Sequence, residues 1–286
     1  MEVKRMSKVI AIDAGHGINT PGRRCLSSLD PEEHREWWLN SRVAAYVQAE
    51  LKNYDCRTLR TDDVTGAADV ALSTRCEKAN KAGADAFISI HHNAGIGGRA
   101  GGGTVVYAAK NATASKKAWQ KDMRDRVVAY NGLAGNRSNP VPLNNYKVLT
   151  GTNMPALLIE CGFMDSKTDT PIILREDFAR KTAKGIAESI AVYLGLKKIS
   201  SNTSNETIDK NEVNGHIKII YTGDDGVEVH NTPDLSVGSR NNKYGPVKYG
   251  EVFTVVEKTK APDGTPMYKL KSGLYITASE KYVKFY

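Results

Sequence analysis

Three apolar segments of the chain end on side chains that can bind or serve a metal ion. KVIAIDAGHG leads to His16, AFISIHHNA contains His91 and PALLIECGF contains Glu160. Each segment is typical of a buried strand in a mainly parallel sheet. Because chemistry in open α/β sheets gathers at the carboxyl ends of the strands, the sequence predicts one metal-centred active site at that edge.

A fourth candidate lies on a predicted helix from Pro31 to Leu51. One face of this helix carries Asn40, Val43, Val47 and Leu51. Extending that face by one turn toward the amino end reaches Glu36. A buried carboxylate is costly unless a partner compensates its charge, and a metal ion is such a partner. The alternative is an exposed acid in the first helical turn, where the helix dipole favours it; the two histidines favour the ligand interpretation.

The resulting donor set consists of His16, Glu36 and His91. Two imidazole nitrogens and one carboxylate oxygen suit Zn²⁺ and leave a fourth position for water. Asp13, just before the DAGHG turn, is a candidate to orient a ligand. His92 alternates to the face opposite His91, and His34 lies off the face that carries Glu36. We therefore interpret His92 and His34 as structural or supporting residues.

A glycine-rich segment, GIGGRAGGG at residues 95–103, invites a phosphate-binding interpretation. No Lys-Ser or Lys-Thr follows it, and it precedes a strand where a phosphate loop would open a helix, so both the P-loop and the dinucleotide fingerprints fail. Its position directly after the third strand end predicts a loop at the rim of the site.

The cysteines form no metal-binding pattern. None of them belongs to a CxxC pair, and in a protein made in the cytoplasm we expect free thiols at Cys25, Cys56, Cys76 and Cys161. Cys161 follows Glu160 and is the thiol most easily mistaken for a nucleophile. Because neighbours on a strand point to opposite faces, we interpret Cys161 as a packing residue.

The elements that must position these residues belong to the first of two expected domains. At 286 residues and 40% hydrophobic composition, the chain can form more than one core. Strands and helices alternate from Lys8 to about Leu196, which predicts an α/β domain at residues 1–197 with a mostly parallel twisted sheet flanked by helices. Residues 198–214 are polar and predict a linker. Residues 215–286 contain short β-branched and aromatic segments, which predict a small all-β barrel.

The overall composition limits the partners. The chain has no run of 18 or more apolar residues and begins with charged residues that pass directly into a strand, so we expect neither a membrane span nor a cleavable signal peptide. The net charge of +8 fits polyanionic surroundings or ordinary solvation equally well. A nucleic-acid or protein binder would leave Glu36 and the three strand ends unexplained, so we expect no nucleic-acid and no membrane partner.

The strings DAGHG, ExxxNxxVAxxxxxEL, SIHHNA and MPALLIECGF together resemble the zinc-dependent N-acetylmuramoyl-L-alanine amidase family, whose members cleave peptidoglycan. The resemblance runs from about Lys8 to Leu196. It implies a mixed, mostly parallel sheet, with the catalytic acid/base at Glu160 and Zn²⁺ bound by His16, Glu36 and His91. His92 departs from the family, in which a small residue is usual after the third ligand.

The resemblance also implies a reaction, hydrolysis of the amide between N-acetylmuramic acid and the L-alanine of the stem peptide. Zn²⁺ would lower the pKa of bound water toward roughly 7, and Glu160 would take the proton and pass it to the leaving nitrogen. Without an export signal, the chain fits a phage or prophage endolysin that is made in the cytoplasm and reaches the cell wall during lysis. A secreted autolysin is the alternative.

Residues 215–286 resemble bacterial SH3-like cell-wall-binding domains through VEVHNTPD, YGEVFTVVEKT and LYITASEKYV. This resemblance implies that the second domain holds the enzyme on the wall, although a barrel that only stabilises or dimerises the chain stays open. Three rival functions also remain: a zinc peptidase of the stem peptide, a wall hydrolase that uses Cys161 or Cys25, and a wall-binding protein without activity.

Overall fold

The computed structural model of the chain describes residues 7–199, 215–235, 237–241 and 243–286. The chain divides into two compact units, Met1–Ser200 and Ser201–Tyr286. Most of the predicted linker lies outside the described residues. Its first two residues belong to the first unit, because Lys198 forms a β-bridge with Tyr54 and the N–H of Ile199 donates to the carbonyl of Asn53 at 2.9 Å.

The first unit is a five-stranded sheet flanked by helices. Its strands are β1 (Lys8–Ala14), β2 (Cys56–Arg60), β3 (Ala86–Asn93), β4 (Val105–Tyr107) and β5 (Ala156–Phe163). Its helices are α1 (Glu36–Leu51), α2 (Leu72–Lys81), α3 (Ala114–Asn131), α4 (Lys147–Thr150), α5 (Thr170–Ile173) and α6 (Glu176–Leu194). The strand order is β2-β1-β3-β5-β4, with β4 antiparallel and the other neighbours parallel. The predicted α/β class with a mostly parallel sheet is confirmed.

Alternation along the strands divides the interior into two cores. Ile10 and Ile12 of β1 point into the larger core, which α1, α3 and α6 cover. Ala11, between them, points into a smaller core against α2 and α4. Because successive side chains of a strand point to opposite faces, each strand end can direct one residue toward each layer.

Helix α1 begins later than the sequence pattern predicts. The pattern places its start at Pro31, but the first helical residue is Glu36, after an extended Arg35 with φ −72° and ψ 146°. Two features stop the helix from starting earlier. Glu33 has a left-handed φ of 47°, and the Asp30 carboxylate accepts the N–H of His34 at 2.8 Å in a local turn. Glu36 therefore lies at the amino end of α1.

The second unit is an antiparallel sheet of the order β11-β6-β8-β9-β10-β7. Its strands are β6 (Gly215–Ile219), β7 (Val229–His230), β8 (Val252–Lys260), β9 (Pro266–Leu270), β10 (Tyr275–Thr277) and β11 (Val283–Phe285). Ile217, Val255 and Ile276 are fully buried in its core. The all-β prediction is confirmed, and the SH3-like barrel stays a prediction. Across the described residues of both units, no helix is long and apolar enough to cross a membrane.

Helices α3 and α6 approach each other closely at Gly185. A Cβ added to Gly185 would lie 2.7 Å from the Cα and 2.9 Å from the backbone nitrogen of Val127. Backbone atoms cannot rotate away as a side chain can, so the interface has no room for a methyl group at this position.

We expect Gly185→Ala to lower the free energy of unfolding by about 1–3 kcal/mol, because the methyl group would force α3 and α6 apart. The three tryptophans of the chain all lie in the first unit, so urea unfolding followed by tryptophan fluorescence measures this change. Val192→Ala is the control, since Val192 is 60% exposed on the same helix and its loss should cost less than about 0.5 kcal/mol. Equal losses in the two variants would contradict the close approach.

Candidate metal centre

The three predicted ligands meet at the carboxyl edge of the first sheet. His91 Nδ1 lies 2.9 Å from Glu36 Oε1, and His16 Nε2 lies 3.3 Å from Glu36 Oε2. The two imidazole rings stand edge to face with their centroids 5.0 Å apart. One ligand atom from each residue lies within 4.8 Å of the others. The structure thus brings the three side chains together, and their role as metal ligands stays a prediction.

His16 occupies a strained turn directly after β1. Its φ of 68° is left-handed, a conformation that costs a non-glycine residue roughly 1–2 kcal/mol. The preceding Gly15 lies under the imidazole of His91, where an added Cβ would be 2.0 Å from the ring Cε1 atom. Only a glycine fits beneath that ring, so Gly15 lets the two histidines approach each other.

Glu36 is almost completely buried, with 1% of its surface exposed. Burial by itself favours the neutral acid, but the contacts with His16 and His91 outweigh it and hold the pKa of Glu36 well below its usual range. For His91, burial favours the neutral ring, and the Glu36 carboxylate reverses this preference and raises its pKa. The sequence left open a buried Glu36 or an exposed acid in the first helical turn; Glu36 lies in the first turn of α1 but is buried, so the exposed alternative is wrong.

The donor set fits a zinc ion. Among the described residues, His16, Glu36 and His91 are the one group of three or more His, Cys, Asp and Glu that could hold a metal. Glu36 Oε2 is buried and has no hydrogen-bond partner, although His16 Nε2 lies within ion-pair distance. A buried carboxylate oxygen without a hydrogen bond is costly, and two imidazoles with one carboxylate are donors that Zn²⁺ prefers.

Asn40 and His92 hold Glu36 from the α1 side. The Asn40 amide donates to the carbonyl of Gly15 at 3.1 Å and to Glu36 Oε1 at 3.4 Å. His92 Nδ1 donates to Asn40 Oδ1 at 2.8 Å, and the His92 backbone N–H donates to Glu36 Oε1 at 3.3 Å. Burial lowers the pKa of His92 to about 3, so this ring is neutral. The His92 ring therefore contacts Asn40, while its backbone N–H contacts Glu36 directly, and both contacts fit the supporting role expected for it.

Glu160 lies beside His91 on the neighbouring strand. The two residues are paired in the parallel register of β3 and β5, so their side chains project from the same face of the sheet. Glu160 Oε2 is buried without a hydrogen-bond partner. Burial raises the pKa of Glu160 to about 7, with a further rise from Glu36 that His91 and Arg23 oppose. A carboxyl group in this environment can both accept and release a proton near neutral pH.

Cys161 points away from the site. Its side chain is fully buried in the larger core, and burial holds the pKa of the thiol well above its usual value. A reactive thiol needs an accessible thiolate, so Cys161 fits the packing role expected from strand alternation. Cys25 is also buried. Burial and, to a smaller extent, the negative charge of the nearby Asp30 raise the pKa of its thiol to about 12.

Among the described residues, Asp13 has its hydrogen-bond partners outside the two imidazoles. Its carboxylate accepts hydrogen bonds from Arg75, Thr61 and Ser89 at distances of 2.8, 2.9 and 2.7 Å. Arg75 is a buried partner of Asp13 that the sequence analysis missed. A usable signal existed, since Arg75 lies four residues before the buried Ala79 and therefore on the inward face of α2.

The glycine-rich segment forms a loop that the protein itself anchors. Asp165 Oδ2 accepts the backbone N–H groups of Gly95, Ile96 and Gly97 at 2.7 to 2.8 Å. The neighbouring N–H of Gly103 donates to Asp169 at 2.7 Å. These amides are thus used by carboxylates of the same chain, in agreement with the failure of the phosphate-loop pattern.

Comparisons with known proteins identify the family of the first unit. Residues 10–192 match the family described as N-acetylmuramoyl-L-alanine amidase, and residues 215–283 match a domain family of unknown function. The chain is 34% identical to the endolysin of Bacillus phage SPP1 over 284 residues, which cover 97% of this chain and 98% of that protein. It is 30% identical over 191 residues to the N-acetylmuramoyl-L-alanine amidase CwlM of Bacillus licheniformis, covering 66% of this chain and 70% of that protein.

Solved structures show the same likeness. An N-acetylmuramoyl-L-alanine amidase from Clostridium difficile 630 superposes with a TM-score of 0.59 at 28% identity and covers 66% of this chain and 97% of its own. The catalytic domain of the amidase CwlV from Bacillus (Paenibacillus) polymyxa var. colistinus gives a TM-score of 0.58 at 29% identity, covering 66% of this chain and 99% of its own.

We expect Gly15→Ala to weaken zinc binding by at least about tenfold, because the added Cβ would displace the His91 ring from Glu36. Competition with a chromophoric chelator measures the affinity. Gly238→Ala serves as the control, since Gly238 has open space around its Cβ position and lies in the second unit. Unchanged zinc affinity in Gly15→Ala would show that the close approach of Gly15 to His91 does not determine the site.

Proposed function

The chain belongs to the N-acetylmuramoyl-L-alanine amidase family, and on this premise we propose that it is a zinc-dependent endolysin of phage or prophage origin. It hydrolyses the amide bond between N-acetylmuramic acid and the L-alanine of the stem peptide in peptidoglycan. The observation that carries the proposal is the convergence of His16, Glu36 and His91 beside the buried carboxyl group of Glu160.

We assign the metal to His16, Glu36 and His91. Zinc bound there supplies a Lewis acid for the scissile carbonyl and an acidified water at neutral pH. The protein fixes the ligands: Gly15 admits the His91 ring, and Asn40 holds the Glu36 carboxylate from behind. Ligands whose positions are set by packing and hydrogen bonds need little rearrangement when they bind an ion.

Glu160 is the proposed acid/base. Its position next to His91 places a carboxyl group on the face of the sheet that carries the ligands. A carboxylate oxygen of Glu160 takes a proton from the attacking water and passes it to the leaving nitrogen of L-alanine. The buried Oε2, which has no hydrogen-bond partner, leaves this carboxyl group available for such a transfer.

The second unit is the proposed cell-wall-binding domain, with an SH3-like fold. Support comes from the match to the endolysin of phage SPP1, which includes this unit because it covers 97% of the chain. Attachment to an insoluble polymer raises the local concentration of the catalytic unit at its substrate. The same match supports action on the wall after release during lysis.

Removal of the metal tests the zinc requirement. We expect a chelator to abolish the loss of turbidity that the protein causes in purified bacillar or clostridial cell walls, and we expect added Zn²⁺ to restore it. Each amide hydrolysed should release one new N-terminal alanine, which end-group analysis detects. Lysis that is indifferent to chelation would contradict the zinc site and favour a thiol mechanism. New amino groups from other stem-peptide residues would identify an endopeptidase instead.

Glu160→Gln tests the acid/base. We expect zinc content to be unchanged and the rate of alanine release to fall by about 10²–10⁴-fold, because the amide cannot accept a proton. Glu77→Gln makes the same chemical change at an exposed position of α2 and should retain full activity. A Glu160→Gln variant that binds zinc normally and keeps its activity would refute the assignment.

A further inference from the structure

Arg75 is the largest fully buried side chain of the first unit, with 1% of its surface exposed. Arginine is rarely buried unless all its donors are satisfied. Here all five N–H groups have acceptors. Nε donates to the carbonyl of Val70 at 2.7 Å, Nη1 to Asp13 and the carbonyl of Ala14 at 2.8 and 2.6 Å, and Nη2 to the carbonyl of His16 and to Asp69 at 3.0 and 3.1 Å.

Two of these acceptors belong to the turn that carries the first ligand. The carbonyls of Ala14 and His16 lie on either side of Gly15, in the segment where His16 adopts its left-handed φ of 68°. Such a conformation persists only where the surroundings determine it. One rigid guanidinium that binds both carbonyls fixes the backbone on both sides of the strained residue.

The guanidinium is itself held in place. Asp13 pairs with it in a buried ion pair at 2.8 Å, with each partner 1% exposed. Two hydroxyl groups donate to the same carboxylate: that of Thr61, directly after β2, and that of Ser89 in β3. On its outer side, Asp69 accepts from Arg75 and from the Thr20 hydroxyl, and that hydroxyl accepts the N–H of Gly17. The network therefore connects α2 to the backbone before and after His16.

We propose that Arg75 is a positioning residue for the metal ligand His16. This role rests on the proposed zinc site. By donating hydrogen bonds to the carbonyls of Ala14 and His16, Arg75 keeps the His16 imidazole directed at Glu36. The five N–H groups of Arg75 donate to acceptors other than Glu36 and the imidazoles, so its effect on the metal passes through the backbone of the turn.

A purely structural role for Arg75 makes a different prediction. If the side chain only neutralised Asp13, a lysine would suffice, since it carries the same charge. An ammonium group at the end of a flexible chain cannot reproduce the planar guanidinium, which reaches three carbonyls and two carboxylates at once. Arg75→Lys thus separates neutralisation of Asp13 from the hydrogen bonds to the carbonyls of Ala14 and His16.

The experiment compares Arg75→Lys, Arg75→Met and Arg60→Met in the full-length protein. Arg60 is the matched control, because it forms a largely buried pair with Asp62 at 2.7 Å and makes no hydrogen bond to the His16 turn. Zinc affinity is measured by chelator competition, the coordination geometry by the visible spectrum of the Co²⁺-loaded protein, and stability by urea unfolding.

We expect both Arg75 variants to lose at least about tenfold in zinc affinity and to show an altered Co²⁺ spectrum. Arg60→Met should lose stability and keep both metal properties. Zinc affinity and a Co²⁺ spectrum like the wild type in Arg75→Lys would overturn the inference, as would an equal loss of affinity in Arg60→Met. If Arg75→Met does not fold, Arg75→Lys decides, since it retains the charge that Asp13 needs. A wild-type protein that binds no zinc would instead overturn the proposed metal site, and this inference with it.

Discussion

The buried carboxylate of Glu36 is the constraint on which the arrangement of the first unit depends. A charge with 1% exposure is tolerated only where hydrogen bonds and opposite charges compensate it. At Glu36 these partners come from three directions: His16 after β1, His91 at the end of β3 and Asn40 one turn along α1. The sheet must bring the ends of β1 and β3 together, and α1 must begin at their edge.

The residues that do no chemistry determine whether the ligands can meet. Gly15 lets a peptide bond pass directly under the His91 ring, where any larger residue would collide with it. On the opposite side, Arg75 holds the carbonyls of the same turn. A left-handed His16 is therefore compatible with a stable fold, because the hydrogen bonds to its turn offset the strain of one residue.

Much of this arrangement could be predicted from the sequence. The apolar runs correctly placed His16 directly after β1 and His91 near the end of β3, and because parallel strands run in one direction these positions lie toward the same edge of the sheet. Glu160 lies within β5, short of its end at Phe163, and is brought to the site by its pairing with His91. Helical spacing placed Glu36 on an inward face. The predicted start of α1 at Pro31 was wrong, because the turn held by Asp30 and the left-handed φ of Glu33 interrupt a sequence pattern that otherwise continues as a helix. Arg75 was missed because hydrophobic periodicity treats a charged residue as exposed, even though its spacing from Ala79 places it on the inward face of α2, and because Asp13 and the carbonyls of the His16 turn lie in a distant segment of the chain.

Two polar networks flank the site, and both lie in the interior of the first unit. His92 and Asn40 occupy the α1 side, and Asp13 with Arg75 occupies the α2 side. Replacing a buried ion pair by well-packed apolar side chains is often neutral or stabilising, so stability alone does not explain these residues. Apolar contacts are nondirectional, however, and cannot fix the orientation of a carbonyl or a carboxylate. Hydrogen bonds can, and those given by Asn40 and Arg75 end on Glu36 and on the backbone of His16. Asn40 and Arg75 thus occupy places where the position of a neighbouring group, more than burial, determines what the protein can do.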